Sequence, residues 1–289
     1  MTTLAHALQT AQAEGLERLD VQMLLLHALG RSAHDRAWLL AHDADELAAP
    51  AQAVFEACLL RRRNGEPLAY ITGHKEFFGL DLRVDARVLV PRPDTETLVD
   101  WALALLIDTP AATVLDLGTG SGAIALALKA SRPDLSVRAT DFSEDALAVA
   151  RSNAVRLHLD VAFQHSSWFE GINGRYQLII SNPPYIAAQD RHLVDLAHEP
   201  TQALTAGADG LDDLRRIIAQ AAAHLQVGGW LLLEHGYDQA AAVRILLQEA
   251  GFQLVASRRD LGDIERCSGG QLPLPATSSA YDINNMIHP

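Results

Sequence analysis

A chain of 289 residues, 49% of them hydrophobic, has room for about two domains and the apolar content of an ordinary globular protein. Its formal net charge of −13 opposes the phosphate neutralisation by which duplex nucleic acid is gripped, so direct nucleic-acid binding is not expected. No run approaches the roughly 18 apolar residues of a membrane span, and Met1 to Gly15 lacks a basic region followed by an apolar stretch, so no membrane contact and cytoplasmic residence are the expectations.

Leu4 to Asn64 reads as helical throughout. Asp20 is an expected N-cap, Val21, Leu24, Leu25 and Ala28 share one face, Gly30 ends that run, and Val54, Phe55, Cys58 and Leu59 repeat the face. Arg61-Arg62-Arg63 before Gly65 suits a helix C-terminus, where cations offset the macrodipole. Residues 1–75 therefore form a small helical domain. Leu80, Leu82 and Val84 alternate, and with Asp85-Ala86-Arg87 as the turn, residues 76–90 read as a β-hairpin linker. A catalytic domain follows at 91–289. Its strand-like runs at 113–117, 135–141, 160–165, 177–181, 229–234 and 252–257 alternate with helical patterns, which predicts an α/β fold: a doubly wound, mostly parallel, Rossmann-like sheet covered on both faces. Cys58 and Cys267 lack metal-ligand spacing, as do the 12 histidines, so reduced thiols and no metal are expected.

Two motifs carry chemistry. The run Val114 to Leu117 ends in Gly118-Thr119-Gly120-Ser121-Gly122 and opens onto a helical pattern, as a backbone does that must turn sharply and admit a ligand. About twenty residues beyond these glycines the next strand ends in Asp141, where a carboxylate can accept both hydroxyls of a ribose. Asp116, just before the glycines, could approach an ammonium. Gly118-x-Gly120-x-x-Ala123 also fits a dinucleotide fingerprint, which leaves a pyridine nucleotide as the second choice of cofactor. The other motif, Asn182-Pro183-Pro184-Tyr185, follows the apolar run Leu178 to Ser181. Its prolines stiffen a loop at the open end of a buried strand and leave carbonyl oxygens as acceptors, which suits a nitrogen bearing two hydrogens, either a carboxamide or an exocyclic base amine. S-adenosylmethionine accounts for both motifs, because its methyl must face an acceptor nitrogen.

The chain resembles the class I methyltransferases and, more closely, the release factor glutamine methyltransferases of the HemK/PrmC family. The resemblance rests on these motifs, on Pro67 to Leu80, on Leu89-Val90-Pro91-Arg92-Pro93-Asp94-Thr95-Glu96, and on Glu199-Pro200 with Ala206 to Leu211. It spans roughly residues 15 to 270. The resemblance implies that Gly118 to Gly122 bind S-adenosylmethionine, that Asp141 holds its ribose and that Trp168 packs beside the adenine. Ser167 stands where many relatives have Asp, so the adenine amine contact that the resemblance implies there is not carried over to this position. The resemblance further implies that Asn182, Pro183, Pro184 and Tyr185 hold the glutamine of the Gly-Gly-Gln motif in peptide chain release factors, and that its N5 nitrogen is methylated. Asn182 Oδ1 and the Pro183 carbonyl are the expected acceptors of its N–H groups, with Tyr185 packed against it. Arg92, Thr95 and Glu96 are further candidates for the cleft. The tail from Gln271 departs from the family; its first residue completes Gly269-Gly270-Gln271, expected to be a chance tripeptide in a turn. Rival readings are an N6-adenine, N4-cytosine or other nucleic-acid amino-methyltransferase, a non-catalytic binding protein, and an NAD-dependent oxidoreductase.

Overall fold

The computed structural model describes residues 2–274. Helices α1 (Leu4–Ala13), α2 (Arg18–Ala28), α3 (Arg36–Ala41), α4 (Ala49–Arg63) and α5 (Leu68–Thr72) come first. They enclose Leu4, Val21, Leu24, Leu25, Phe55, Cys58 and Leu59. Two details differ from the sequence reading. Helix α2 is preceded by Glu17, so Asp20 lies inside its first turn, where Arg62 pairs with it at 2.6 Å. Val54 is 45% exposed, which narrows the buried face of α4 to Phe55, Cys58 and Leu59. The three arginines do occupy the last turn of α4, and each also pairs with a carboxylate: Glu66, Asp20 and Glu14.

The hairpin is β1 (His74–Phe77) against β2 (Leu80–Arg83), antiparallel, with His74 opposite Arg83. Its turn is therefore Phe78-Gly79 and not the expected Asp85-Ala86-Arg87. Both turn residues have positive φ, and their N–H groups donate to the Glu96 and Glu76 carboxylates at 3.0 and 2.8 Å.

The rest of the chain is α6 (Glu96–Leu105), β3 (Thr113–Leu117), α7 (Ala123–Ser131), β4 (Ser136–Asp141), α8 (Glu144–Leu157), β5 (Ala162–His165), β6 (Tyr176–Ser181), α9 (Asp212–His224), β7 (Leu225–Glu234), α10 (Ala240–Glu249), β8 (Gln253–Arg259) and β9 (Glu265–Gln271). The 7-stranded sheet runs β5-β4-β3-β6-β7-β9-β8. Only β9 opposes its neighbours; the other pairings are parallel. Because side chains alternate along a strand, Val114, Leu178, Ile180 and Leu232 face one core with α6 and α7, while Leu115, Ile179, Leu231 and Leu233 face the other with α9 and α10. Tyr70, Val84, Val88 and Val90 pack on Ala146 and Val149 of α8, joining the linker to the sheet domain.

Strand β9 escaped the sequence reading, and Gly269-Gly270-Gln271 lies in it rather than in a turn. Glycine is what the crowding there permits: a Cβ on Gly269 would stand 2.4 Å from Leu232 Cδ2, and one on Gly270 would stand 2.8 Å from Phe252 Cβ. Of the unusual tail, residues 275–289 lie outside the described residues.

Candidate active site

Strand register assembles the site. Thr140, Leu117, Ser181 and Leu233 lie in one cross-strand row over β4, β3, β6 and β7, so the next residues, Asp141, Gly118, Asn182 and Glu234, emerge together at the carboxyl edge. Between β3 and β6 the strand order reverses, and such a switch point opens the crevice where doubly wound sheets bind ligands. Ser181 Oγ donates to the Leu117 carbonyl at 2.6 Å and ties the two motif-bearing strands at that point.

A cavity of about 420 Å³ fills the crevice, walled by Gly118 to Ser121, Asp141, Trp168, Asn182 and Pro184, and also by Arg92 and Thr95. Gly118, Gly120 and Gly122 all have positive φ, which lets the loop coil into the start of α7. No atom lies within 4 Å of where a Gly120 Cβ would stand, so that face of the loop is open to a ligand. Asp141 Oδ2 accepts from Gly120 N at 2.8 Å and Oδ1 from Ser143 N at 2.9 Å. Each carboxylate oxygen keeps lone-pair capacity for one ribose hydroxyl. Burial raises the Asp141 pKa, and the backbone donors offset part of that. The N-cap of α8 is Ser143, so Asp141 is not spent on capping.

Asp116 lies beneath the loop, fully buried and off the cavity wall. Thr119 Oγ1 donates to its Oδ2 at 2.6 Å, while Oδ1 has no partner, and burial pushes its pKa up to about 7. Trp168, at φ 52, lies over Gly118 and donates from Nε1 to Asp213 Oδ1 at 3.2 Å. Ser167 is exposed on the same wall. An open glycine cradle and a ribose-competent carboxylate are features that suit S-adenosylmethionine.

The substrate motif is divided. Asn182 and Pro184 reach the cavity wall, whereas Pro183 is buried and Tyr185 directs its hydroxyl to Glu234 Oε1 at 3.3 Å. The Tyr185 hydroxyl is thus fixed by Glu234, while its ring is half-buried beside the α9 and α10 core. Asn182 Nδ2 donates to Thr95 Oγ1 at 3.2 Å, which leaves Oδ1 free to accept. Around the motif, Gln239 Nε2 donates to the Tyr185 carbonyl at 3.0 Å, and Gly210 passes so close that a Cβ would stand 2.2 Å from that oxygen. Arg92 and Val90 N both bond the buried Glu199 carboxylate, pinning the later loop over the crevice. Glu96, another cleft candidate, serves the hairpin turn instead.

Glu234 and Gln239 were missed by sequence reasoning. Glu234 had a legible signal, as the last residue of the predicted 229–234 strand; Gln239 had none. Asp213 and Arg216, on the Trp168 side of the cavity, also lay outside any motif.

The sheet order, the glycine loop and the amide at the switch point define the chain as a methyltransferase of the Rossmann-like class. A family model described as Methyltransferase small domain matches residues 95–209, and one described as PrmC N-terminal domain matches residues 2–73. A methyltransferase from Pyrococcus furiosus superposes with a TM-score of 0.54 at 20% identity, covering 76% of this chain and 98% of that one. The hMettl16 catalytic domain, in complex with a 3'UTR hairpin, does so at 0.55 and 16% identity, covering 78% and 84%. These likenesses establish the fold.

Release factor glutamine methyltransferases are far more similar in sequence. That of Xylella fastidiosa (strain Temecula1) is 49% identical over 92% of this chain and 98% of its own length. That of Pseudomonas aeruginosa is 50% identical over 94% and 99%, and that of Bordetella pertussis 50% identical over 89% and 96%. The chain belongs to the release factor glutamine methyltransferase family. No helix among the described residues is long and apolar enough to cross a membrane.

Proposed function

We infer that this protein transfers a methyl group from S-adenosylmethionine to the side-chain amide nitrogen of the glutamine in the Gly-Gly-Gln motif of peptide chain release factors. Residence in the cytoplasm belongs to the same proposal. The observation that carries the reading is Asn182: Thr95 occupies its Nδ2, so Oδ1 is left to accept on the cavity side of the loop.

When bound, S-adenosylmethionine supplies a methyl group activated by its sulfonium. Gly118 to Gly122 and Asp141 hold its nucleoside end and Trp168 flanks the adenine, while Asp116, buried beneath the loop, braces it through Thr119. A carboxamide nitrogen is a poor nucleophile because its lone pair is delocalised into the carbonyl. Asn182 Oδ1 and the Pro183 carbonyl accept its two N–H groups, aim the lone pair and draw charge from the N–H bonds as they acidify. Such positioning can contribute about 7–11 kcal/mol, more than proton transfer usually does. The same acceptor pair rejects glutamate, whose oxygens have no hydrogen to offer; sites of this kind discriminate by roughly 10⁴.

The test is incubation with methyl-labelled S-adenosylmethionine and either a release factor, its Gly-Gly-Gln→Gly-Gly-Glu variant, or nucleic acid, with the label located by mass spectrometry. Label on the glutamine of the release factor alone is expected. Label on nucleic acid amines, or on neither, overturns the reading.

A further inference from the structure

The loop that carries Asn182 depends on its neighbours to hold it. Pro183 and Pro184 have no N–H to donate, so two of its residues can anchor their backbone only through carbonyl oxygens. One of those carbonyls, on Pro183, is assigned above to the substrate nitrogen. Past the prolines the next carbonyl is that of Tyr185, and Gln239 Nε2 donates to it at 3.0 Å. Gln239 stands at the start of α10, half-buried and off the cavity wall.

Both polar atoms of the Gln239 amide are engaged by backbone. Nε2 also donates to the Asp209 carbonyl at 3.3 Å, and Oε1 accepts from Gly236 N at 2.8 Å. Two hydrogens thus meet two carbonyls and the oxygen meets an N–H, so the reversed amide would set oxygen against oxygen twice and NH₂ against N–H. Gly210 makes room for this arrangement: a Cβ there would stand 2.2 Å from the Tyr185 carbonyl oxygen and 2.8 Å from Gln239 Nε2. Three segments therefore meet at one side chain: the substrate loop at Tyr185, the later loop at Asp209 and the turn after β7 at Gly236.

We propose that Gln239 is a positioning residue for methyl transfer: its side-chain amide ties the Tyr185 carbonyl to Asp209 and Gly236, and so sets the direction in which the Asn182 and Pro183 oxygens face the substrate nitrogen. The segment from Asn182 to Tyr185 is short, both prolines fix φ, and Pro183 is confined further by the proline after it. A displacement at the Tyr185 end is therefore passed along a stiff chain to Pro183 rather than absorbed. Ser181 holds the other end through its hydroxyl bond to Leu117. The bond from the Tyr185 hydroxyl to Glu234 fixes the side chain but not the carbonyl. The inference rests on the methyl-transfer reading of the site.

Gln239→Glu isolates the hydrogen-bonding role, because it keeps the shape of the side chain and replaces its NH₂ group by an oxygen. Ionised, that oxygen faces the Tyr185 and Asp209 carbonyls with no hydrogen to give; protonated, it recovers one donor. Acceptors aimed at a carboxyl favour its neutral form, so the variant is expected to regain the donor on acidification. The titratable and charged groups around the position are Asp238 beside it, Glu234 and His235 at the end of β7, the Tyr185 hydroxyl, and Asp209 with its partner Arg215. All are shared with wild type, so the ratio of variant to wild-type kcat at each pH reports the introduced carboxyl.

The experiment uses the full chain, a Gly-Gly-Gln release factor and S-adenosylmethionine. Gln239→Ala is expected to lower kcat by roughly 10², the scale of misplacing a reacting group by about 1 Å, with KM for the release factor and calorimetric Kd for the cofactor within about threefold. Gln239→Glu is expected to match that loss near pH 8 and to regain about tenfold in its kcat ratio to wild type towards pH 5.5, while the ratio for Gln239→Ala stays flat. Wild-type kcat in Gln239→Ala, a loss carried equally by KM or by the cofactor Kd, or a ratio for Gln239→Glu as flat as that for Gln239→Ala overturns the proposal. Should one variant not fold, the other decides. A wild-type enzyme that fails to methylate glutamine refutes the functional reading; one that methylates normally alongside an unaffected Gln239→Ala refutes only the role of Gln239.

Discussion

At the residue scale, Asn182 and Asp141 divide the work, because one faces the reacting nitrogen and the other the cofactor. Asn182→Ala is expected to remove nearly all turnover while cofactor Kd by calorimetry stays within about threefold, since its oxygen contributes mainly to orientation at the reacting centre. Wild-type methylation by this variant rules out the amide as the orienting acceptor. Asp141→Ala is expected to weaken S-adenosylmethionine by about 2 kcal/mol, roughly thirtyfold, the worth of a hydrogen bond to a charged group. An unchanged Kd rejects the ribose role. Both residues were legible in the sequence because Asp141 ends one strand-like run and Asn182 directly follows another, and a strand end in an open parallel sheet is where side chains meet ligands. Thr95 was legible only as a candidate, since an acidic first helical turn accounts equally well for Asp94 to Glu96. Glu234 was not singled out because its partner Tyr185 is distant in sequence and the register of β6 against β7 brings the two strand ends together.

At the element scale, the substrate loop keeps its shape through neighbours that approach from the later loop. Gly210 has φ +74, and a Cβ there would stand 2.2 Å from the Tyr185 carbonyl. Gly210→Ala must therefore both strain its own backbone, by about 1–2 kcal/mol, and push the loop from Gln239. Its turnover is expected to fall far more than its cofactor affinity, measured by parallel kinetics and calorimetry; equal kinetics to wild type means the later loop does not brace the substrate motif. The parallel strands were visible in the sequence as short apolar runs, each closed by a turn or a helix. Strand β9 was not, because Glu265 to Gln271 carries charged, hydroxyl and glycine residues and depends on β7 and β8 for its conformation. The hairpin was recognised as such but its turn was misplaced: Asp85-Ala86-Arg87 has turn composition, yet the glutamate caps of Phe78 and Gly79 come from Glu76 and the distant Glu96.

At the scale of the whole molecule, a buried carboxylate with an unpartnered oxygen is expected to weaken the fold that carries it. Glu234 has a folded pKa raised to about 7 from an ordinary 4.5, mainly through burial. A raised acid binds its proton more tightly when folded, so this group's contribution to stability is full below pH 4.5 and is lost as pH rises through 7. Above that range the penalty is on the order of 3 kcal/mol, since each tenfold gain in proton affinity is worth about 1.36 kcal/mol. Asp116, also raised to about 7 by burial, acts in the same direction. The Glu234 share is isolated by comparing wild type with Glu234→Gln in denaturant titrations. At pH 8.5 the variant is expected to be more stable by about 3 kcal/mol, and the gap is expected to narrow steadily towards pH 5, where the native wild-type side chain is already neutral. A variant that is less stable than wild type at both ends of that range means that the carboxylate is fully compensated in the fold and its burial carries no net cost.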